Sequence, residues 1–424
     1  MTAQSQSTAG HSPFSAGHHS DVRTLRDPAE IRRRAAMFWE RARRDRSATF
    51  TINERQLEPC AKFVAEITRR DYPTLDIPYH SRWRHFDVGT VARTARILDA
   101  VKSSNRTDLR EQARVMYDLV VVSVLLDAGA GMSWSYAEDG KRYSKSEGLA
   151  VASINMFAAG AFADSPKHPL RADAKRLRAF ADADLEHGFQ VKPENPLVGV
   201  SGRAGLLRAL GSTIAAQPKL FPGARPGGMV DVLCELAGGL RTLPARVILD
   251  CVLEGLGPIW PSRITLHGSP LGDVWPHADL PSDLAGGALM PFHKLSQWLT
   301  YSLIEPLEQL GIAVTGINEL TGLPEYRNGG LFWDFSVIQP RDPKFNERTW
   351  TAAHPEIVEW RALTVHLLDQ MGVLVAQIFG LDRAALPLAK VLQGGTWTAG
   401  REIARKLRAD GGPPFPIKGD GTTF

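Results

Sequence analysis

The sequence predicts a mainly helical protein with one small accessory β-sheet. Most of its 424 residues follow apolar steps of three and four, which is the period of an amphipathic helix. Segments of β-branched residues bounded by turn residues are few and short. The hydrophobic share of 43% and the charged share of 23% are those of a globular chain, so a large core is expected.

Helical periodicity recurs along nearly the whole chain. It predicts helices at 28–45, 54–70, 88–102, 108–126, 146–160, 170–185, 201–216, 228–237, 291–310, 355–379 and 398–408. Ser201 is predicted to cap one helix start, Pro355 suits the first turn of another, and Gly380 is predicted to close that helix.

The strand candidates and the connections determine the expected domain organisation. The strand candidates, expected to join in one small sheet, are residues 48–52, 246–252, 263–268 and 312–316. Residues 26–424 are predicted to form a single large α-rich domain. The alternative is two lobes, 26–254 and 290–424, joined by a Gly- and Pro-rich connection at 255–290. Residues 1–25 are predicted to be a disordered tail.

Composition excludes several functional classes. The net charge of +4 comes from 50 basic and 46 acidic residues, which does not indicate a nucleic-acid partner. The apolar run at 119–126 is too short to cross a membrane. Cys60, Cys234 and Cys251 are far apart and form no disulfide framework or zinc motif, and no secretory signal is visible, so a cytoplasmic protein without metal or cofactor is expected.

One segment and two single residues carry polar groups in otherwise apolar parts of the sequence. The segment "HSRWRHF" at 80–86 mixes rings and cations, which suits either ligand stacking or a buried aromatic loop with exposed arginines. Asp127 follows an apolar run, where a carboxylate needs a cation or a hydrogen-bond donor, or else serves as a helix-end cap. Lys294 lies on the polar face of a helix, and that face is either exposed to water or the wall of a cleft.

Glu325 lies in "LPEYRNGG", a segment rich in aromatic and special backbone residues. Pro324 fixes the chain before it, and Gly329 and Gly330 are interpreted as a turn that passes close to a ligand. A carboxylate held rigidly there could stabilise a cationic transition state. The alternative is a structural role, either as an ion pair with Arg327 or as a helix cap.

Seven motifs together resemble one known family over nearly everything after about residue 25. They are "HSRWRHF", "DLVVVSVLLDAGAGMSW", "YSKSEGLAVAS", "GVSGRAGLLRALG", "RPGGMVDVL", "LTGLPEYRNGGLFWDFSV" and "GGTWTAGREIARKLR". The sequence resembles the uracil catabolism protein four family of fungi and bacteria. That resemblance implies a route in which uracil becomes a nucleotide and a cyclohydrolase-like partner opens the ring. Urea is then released from a ribosylurea or its 5′-phosphate.

A weaker resemblance concerns the chemistry. The order "HF", "LDA", "FHKLSQ", "LPEYR" and "EWRALTV" is similar to the queuosine-nucleotide N-glycosidases, helical relatives of DNA glycosylases. It implies a DNA-glycosylase-like helical architecture, with Lys294 at the position of the family's helix lysine and Glu325 at that of its aspartate. Glu325 is one methylene longer than that aspartate, and "KLSQ" lacks the family's arginine.

The resemblance implies a role for each candidate residue. Glu325 is expected to be the catalytic carboxylate of an N-ribosyl hydrolase, with Asp334 in reserve. The implied substrate-binding residues are Lys294, His85, Phe86, Asp127, Tyr326 and Arg327. Glu359 and Arg361 are expected to support the site from the C-terminal helix, and no residue is assigned to a metal.

Two other functions stay open from the sequence. One is an amidohydrolase acting on the opened pyrimidine, which would need a metal cluster or an activated nucleophile. The other is a non-catalytic partner of the ring-opening enzyme, with a broad apolar face and no concave polar pocket. The expected binding partner is a small nucleoside- or nucleotide-derived substrate. Contact with other uracil-catabolism enzymes is a second option that the sequence leaves open. The oligomeric state is not predicted.

Overall fold

The computed structural model describes residues 17–103, 108–127, 129–131, 133–260 and 264–418, and in them the chain is mainly helical, as predicted. The helices are Ser20–Leu25 (α1), Pro28–Arg43 (α2), Leu57–Asp71 (α3), Trp83–Phe86 (α4), Arg93–Ser103 (α5), Leu109–Leu125 (α6), Lys145–Ala158 (α7), Ala174–Arg178 (α8), Asp182–Gly188 (α9), Val200–Ala216 (α10), Met229–Ala237 (α11), Ala245–Leu256 (α12), Lys294–Gln309 (α13), Tyr326–Asp334 (α14), Pro355–Ile378 (α15), Leu388–Val391 (α16) and Trp397–Leu407 (α17).

The strands are short and paired two by two. They are Phe50–Ile52 (β1), Ser135–Glu138 (β2), Lys141–Ser144 (β3), Thr242–Pro244 (β4), Thr265–Leu266 (β5), Ser269–Pro270 (β6), Val274–Pro276 (β7), Leu289–Pro291 (β8), Ala313–Thr315 (β9) and Ile338–Pro340 (β10). Strands β4 and β9 pair in parallel, and the pairs β1 with β10, β2 with β3, β5 with β6 and β7 with β8 are antiparallel.

The prediction of one accessory sheet is therefore wrong, because the described strands form five separate two-stranded sheets. Half of these strands end in proline, which lacks the N–H needed to extend a ladder. The strand predicted at 246–252 is also wrong, since these residues lie within α12. Their apolar side chains continue at helical spacing to Leu256, and burial on that period overrides the β preference of Val247 and Ile248.

Helix ends follow the local sequence in most places. Pro28 begins α2 after Asp27, whose side chain accepts a hydrogen bond from the Ala29 amide at 2.8 Å. Pro355 begins α15, and Gly380, with a φ of +68°, follows its end. Ser201 does not cap α10; Gly199 precedes that helix, and Ser201 is exposed.

Buried side chains from residues 31 to 415 form one hydrophobic cluster, and its helix packing positions the site. Helix α13 packs against α6 and α12, and α15 packs against α2 and α3. Helix α14 lies against both α15 and α17. Gly400 makes the last contact possible, because a Cβ there would overlap the carbonyl of Arg327.

The region predicted as a tail is partly structured. Residues 20–25 form α1, whose Val22 and Leu25 are buried against Leu271 and Val274. Residues 1–16 lie outside the described residues. Within the described part of the chain, no helix has the length and hydropathy needed to cross a bilayer.

Candidate active site

A pocket of about 330 Å³ lies where three helices begin. Its wall includes the first residues of α7 (Lys145 and Ser146), Lys294 at the start of α13, and Glu325 just before α14. Backbone N–H groups at helix starts carry a partial positive charge and favour anions. The pocket is therefore arranged to hold negative groups, either the protein's own carboxylates or those of a ligand.

Glu325 caps helix α14 and lines the pocket at the same time. Its Oε2 accepts from the Arg327 amide and its Oε1 from the Asn328 amide, each at 2.7 Å. A carboxylate has about four acceptor positions, so two remain for a ligand or a water molecule. Burial raises the pKa of the Glu325 carboxyl, and the two amides and the charge of Lys294 offset only part of that rise.

Lys294 is the cation associated with this carboxylate. Burial lowers the pKa of its ammonium group, while the charges of Glu325 and Asp127 act in the opposite direction. The three side chains all line the pocket. Lys294 therefore contributes a positive charge to the pocket that these two acids line.

Arg361 fixes the positions of Lys294 and Glu325 from behind the pocket. Its guanidinium donates to both oxygens of Asp273, at 2.9 and 2.7 Å, and Asp273 in turn accepts from the Lys294 amide at 3.1 Å. The Arg361 Nε also lies 3.4 Å from the carbonyl oxygen of Pro324. Burial opposes ionisation of Asp273, but the pairing with Arg361 outweighs it and lowers the pKa of that carboxyl.

Asp127, at the end of α6, is held by a cation and a hydroxyl. Arg82 is fully buried, and its Nη1 lies 3.0 Å from the Asp127 Oδ1. The Ser146 hydroxyl donates to the other oxygen of Asp127 at 2.8 Å. The Arg82 Nε donates to Ser123 at 2.8 Å, which ties the arginine to the last turn of α6. The sequence predicted that Asp127 needs a cation or a hydrogen-bond donor, but it did not identify Arg82 or Ser146.

Two neutral histidines in the pocket wall have fixed tautomers. Burial lowers the pKa of His80 to about 4, and burial with the charge of Arg82 lowers the pKa of His85 well below its ordinary value. The His80 Nδ1 donates to the Gln393 side-chain oxygen at 3.0 Å, which leaves its Nε2 as an acceptor. Arg82 donates to the His85 Nδ1 at 3.3 Å, so the His85 Nε2 carries the proton and can donate.

The histidines form part of an aromatic wall. The His85 ring centroid is 5.7 Å from that of Trp298 and 5.6 Å from that of Trp397, and His80 lies at 6.4 and 6.1 Å from the same rings. All four rings line the pocket. Flat, apolar faces combined with one donor and one acceptor suit a planar polar group such as an amide or a ureide.

Six of the predicted site residues line the pocket: Glu325, Lys294, His85, Asp127, Tyr326 and Arg327. Arg361 contacts the segments that carry two of them without lining the pocket itself. Phe86 is fully buried outside the pocket lining, with its ring against Trp83, so it is a core residue. Its proposed contact with substrate has no geometric support.

Asp334 also lies outside the pocket lining. Its two oxygens accept from Arg408, each at 2.7 Å, and its side chain is 2% exposed. Glu359 is buried elsewhere, and its carboxyl accepts from the hydroxyls of Ser47 and Thr49. The reserve acid and one of the two supporting residues therefore contact other parts of the protein, and both positions fit structural roles.

The glycine pair after Glu325 does not form a turn around a ligand. Gly329 and Gly330 lie inside α14 and are buried. A Cβ on Gly329 would overlap the Trp360 ring, so this glycine permits close packing of α14 on α15. The predicted ligand-approach role of the pair is wrong, because the segment is a helix.

Several residues of the site were missed from the sequence: His80, Lys145, Ser146, Trp298 and Trp397 line the pocket, and Arg82 contacts Asp127 without lining it. Arg82 and His80 belong to the "HSRWRHF" segment. The many polar side chains in this short segment could have indicated that they contribute to one site. Lys145 and Trp397 carry no local signal, because the helix packing around them brings them to the pocket from distant parts of the chain.

Known proteins are similar to this chain over nearly its whole length. Residues 24–424 match the family described as a protein of unknown function, DUF1688. The chain belongs to the DUF1688 family. It is 40% identical over 403 residues to Protein urg3 of Schizosaccharomyces pombe, covering 93% of this chain and 97% of that protein. It is 36% identical over 408 residues to Uracil catabolism protein 4 of Lachancea kluyveri, covering 88% and 92%. This DUF1688 chain is thus matched along almost its entire length.

Proposed function

We propose that this pocket hydrolyses the N-ribosyl bond of ribosylurea or its 5′-phosphate and releases urea or a related ureide. One observation carries the proposal: two carboxylates, Glu325 and Asp127, line a single pocket with Lys294 as their cationic neighbour. Breaking an N-ribosyl bond develops positive charge on the anomeric carbon, and a fixed carboxylate lowers that barrier.

Glu325 is the carboxylate that we assign to this charge. Its two hydrogen bonds to backbone amides hold the carboxylate without neutralising it, since amides carry no full charge. The remaining lone pairs can orient the attacking water. Asp127 is placed to accept from ribose hydroxyls, and Lys294 keeps the two negative charges compatible in one pocket.

The leaving group would contact the aromatic wall. A ureide is planar and presents both a carbonyl acceptor and N–H donors. The His85 Nε2 can donate to that carbonyl, and the His80 Nε2 can accept from an N–H. Hydrogen bonding to the departing carbonyl offsets the charge that the ureide gains as the C–N bond breaks. The attacking water gives its hydroxyl to C1 and one proton to Glu325, and the ureide nitrogen takes up a proton, so that the products are urea and the free sugar. Trp298 and Trp397 would stack against the same plane.

The relative named Uracil catabolism protein 4 supports the choice of pathway, since its printed name assigns it to uracil breakdown. From that name we propose the same pathway for this chain. The mechanism rests on the pocket and not on the name.

The amidohydrolase alternative would use Ser146 as a nucleophile. The Ser146 Oγ lies 3.0 Å from the His85 Nδ1 and 2.8 Å from Asp127. In a catalytic triad the histidine stands between serine and acid, whereas here the serine contacts the acid directly. Arg82 also donates to the Ser146 Oγ at 3.0 Å. This arrangement favours a structural hydroxyl over an activated one.

The non-catalytic alternative expected no concave polar pocket. The carboxylates and ammonium group described above lie in such a pocket. Buried charges are costly to maintain, and their presence in a cavity is typical of a ligand site.

The test is product analysis with purified protein and synthetic ribosylurea. We expect urea and reducing sugar in equal amounts, with no loss of rate in the presence of a chelator. Ammonia and carbon dioxide in place of urea would favour amide cleavage. If neither ribosylurea nor its 5′-phosphate yields product, the hydrolase proposal fails.

A further inference from the structure

We infer that the substrate carries a phosphate group and that Lys145 and Arg327 bind it at one end of the pocket. The inference rests on the proposed N-ribosyl hydrolase function and specifies its substrate class as a ribosylureide 5′-phosphate. It stands on three observations about the pocket wall: an unpaired lysine, a cluster of arginines and a helix start.

Lys145 is the first observation. It lines the pocket, and within the described residues its ammonium group makes no ion pair or hydrogen bond. The charge of Asp410 favours this half-buried ammonium group, but no carboxylate in the described residues pairs with it, and burying such a group is costly unless an anion joins it. This differs from Lys294 in the same pocket, whose neighbours include Glu325 and Asp127. The two lysines therefore have different electrostatic surroundings within one pocket.

The surroundings of Lys145 are the second observation. Arg327 also lines the pocket, and its charge and those of Arg401 and Arg405 in α17 disfavour the charge on Lys145, whereas the charge of Asp410 acts in the opposite direction. Arg401 is paired with Glu147 at 2.7 Å, and Arg327 donates to the carbonyl of Gly411 at 2.8 Å. The Arg327 side chain also bonds to the Tyr326 hydroxyl, and the five N–H groups of a guanidinium exceed these two contacts. Concentrated positive charge of this kind is what a phosphate dianion neutralises.

The backbone is the third observation. Lys145 has a φ of +56°, a conformation that side-chain-bearing residues rarely adopt, at the first position of α7. Gly148 allows this tight entry, because a Cβ there would lie 2.6 Å from the Tyr143 carbonyl oxygen. The chain thus holds a lysine in a strained conformation beside the free amides of a helix start.

The two groups of side chains then match the two ends of one substrate. Glu325 and Asp127 would lie at the ribose and its anomeric carbon, and Lys145 with Arg327 would hold the 5′-phosphate. Binding energy from a phosphate remote from the reacting bond can be used to orient that bond.

The experiment compares urea release from ribosylurea and from ribosylurea 5′-phosphate. We expect kcat/KM to be about 100-fold higher for the phosphate form, and Lys145→Asn to reduce that ratio by about 10- to 100-fold. Asparagine tolerates positive φ, so this variant should fold. Lys141→Asn is the matched control, since Lys141 is exposed on β3, outside the pocket, and its ratio should match the wild type.

Different failures have different meanings. Equal rates on both substrates would overturn the phosphate inference and leave the hydrolase proposal standing. If neither substrate yields urea, the hydrolase proposal fails, and calorimetry with ribose 5-phosphate and ribose still decides the phosphate site. Binding of ribose 5-phosphate that is absent, or that Lys145→Asn leaves undiminished, would overturn the inference.

Discussion

Two acids at opposite ends of the same nine-residue helix have different surroundings. Glu325 precedes α14, lines the pocket and accepts from two backbone amides. Asp334 is the last residue of α14, and both of its oxygens are paired with Arg408 outside the pocket lining. One carboxylate keeps its charge available to a ligand, and the other is neutralised by a guanidinium. Environment, and not residue type or proximity in sequence, separates a candidate catalyst from a structural ion pair.

The largest expected effect separates these two acids directly. Glu325→Gln should lower kcat for urea release by about 1,000-fold, because the amide cannot stabilise the developing cation. Asp334→Asn should leave kcat close to wild type and lower the free energy of unfolding by about 1 to 3 kcal/mol, because Arg408 loses its partner. Steady-state kinetics and guanidinium denaturation measure the two quantities. The reverse pattern would transfer the catalytic role to Asp334.

A second prediction concerns the arginine behind the pocket. Arg361→Gln should destabilise the protein by about 3 kcal/mol, because the Asp273 carboxylate stays buried without its partner. It should also lower kcat, since Asp273 and Pro324 hold the segments of Lys294 and Glu325.

The control for that variant is Arg114→Gln. Arg114 makes a similar two-point contact with Asp231, at 3.0 and 2.6 Å, but that pair is partly exposed. Arg114→Gln should lower the free energy of unfolding by about 1 kcal/mol or less and leave kcat unchanged. Denaturation curves that coincide for the two variants would show that Arg361 has no special role.

The glycine pair of α14 gives a third comparison. Gly329→Ala should cost about 1 to 3 kcal/mol, because its Cβ overlaps the buried Trp360 ring. Gly330→Ala should be neutral or stabilising by about 0.5 to 1 kcal/mol, since its Cβ would lie 3.4 Å from Pro414, an ordinary contact, and alanine favours the helix. Thermal melts of both variants measure this. Equal effects would contradict the packing role assigned to Gly329.

The smallest effect is on the pH profile. Because burial raises the pKa of Glu325, its anion dominates only above that raised value, so kcat/KM should fall with acid at a higher pH than for an ordinary glutamate. Burial lowers the pKa of Lys294, so the alkaline decline should begin below the ordinary lysine value. Glu325→Gln should remove the acid limb. An acid limb that persists in this variant would belong to another group.

The sequence predicts the helices well because burial on one face leaves a direct periodic signal. The start of α2 at Pro28 and the end of α15 before Gly380 are examples in which capping chemistry is local. It predicts α14 poorly, since two adjacent glycines are typical of a turn and only the Trp360 ring of another helix explains Gly329. The strand prediction at 246–252 failed for the same reason, since tertiary packing decided its conformation.

The candidate site divides in a similar way. Asp127 was selected because it follows an apolar run, whereas Lys294 and Glu325 were selected because they match positions of the weaker family resemblance. Asp334 and Phe86 were selected by proximity in sequence, and their environments place them elsewhere. Lys145 and Trp397 could not be found, because nothing local distinguishes them and only the convergence of α7, α13, α14 and α17 brings them to the pocket.

The most direct test of the central claim is a secondary deuterium isotope effect at the anomeric carbon. Ribosylurea carrying deuterium at C1 would be compared with the unlabelled compound in single turnovers. If Glu325 stabilises a cation at that carbon, the labelled compound should react measurably more slowly, because the C1 centre becomes planar. Identical rates for the two compounds, with urea still formed, would contradict a cationic transition state at this pocket.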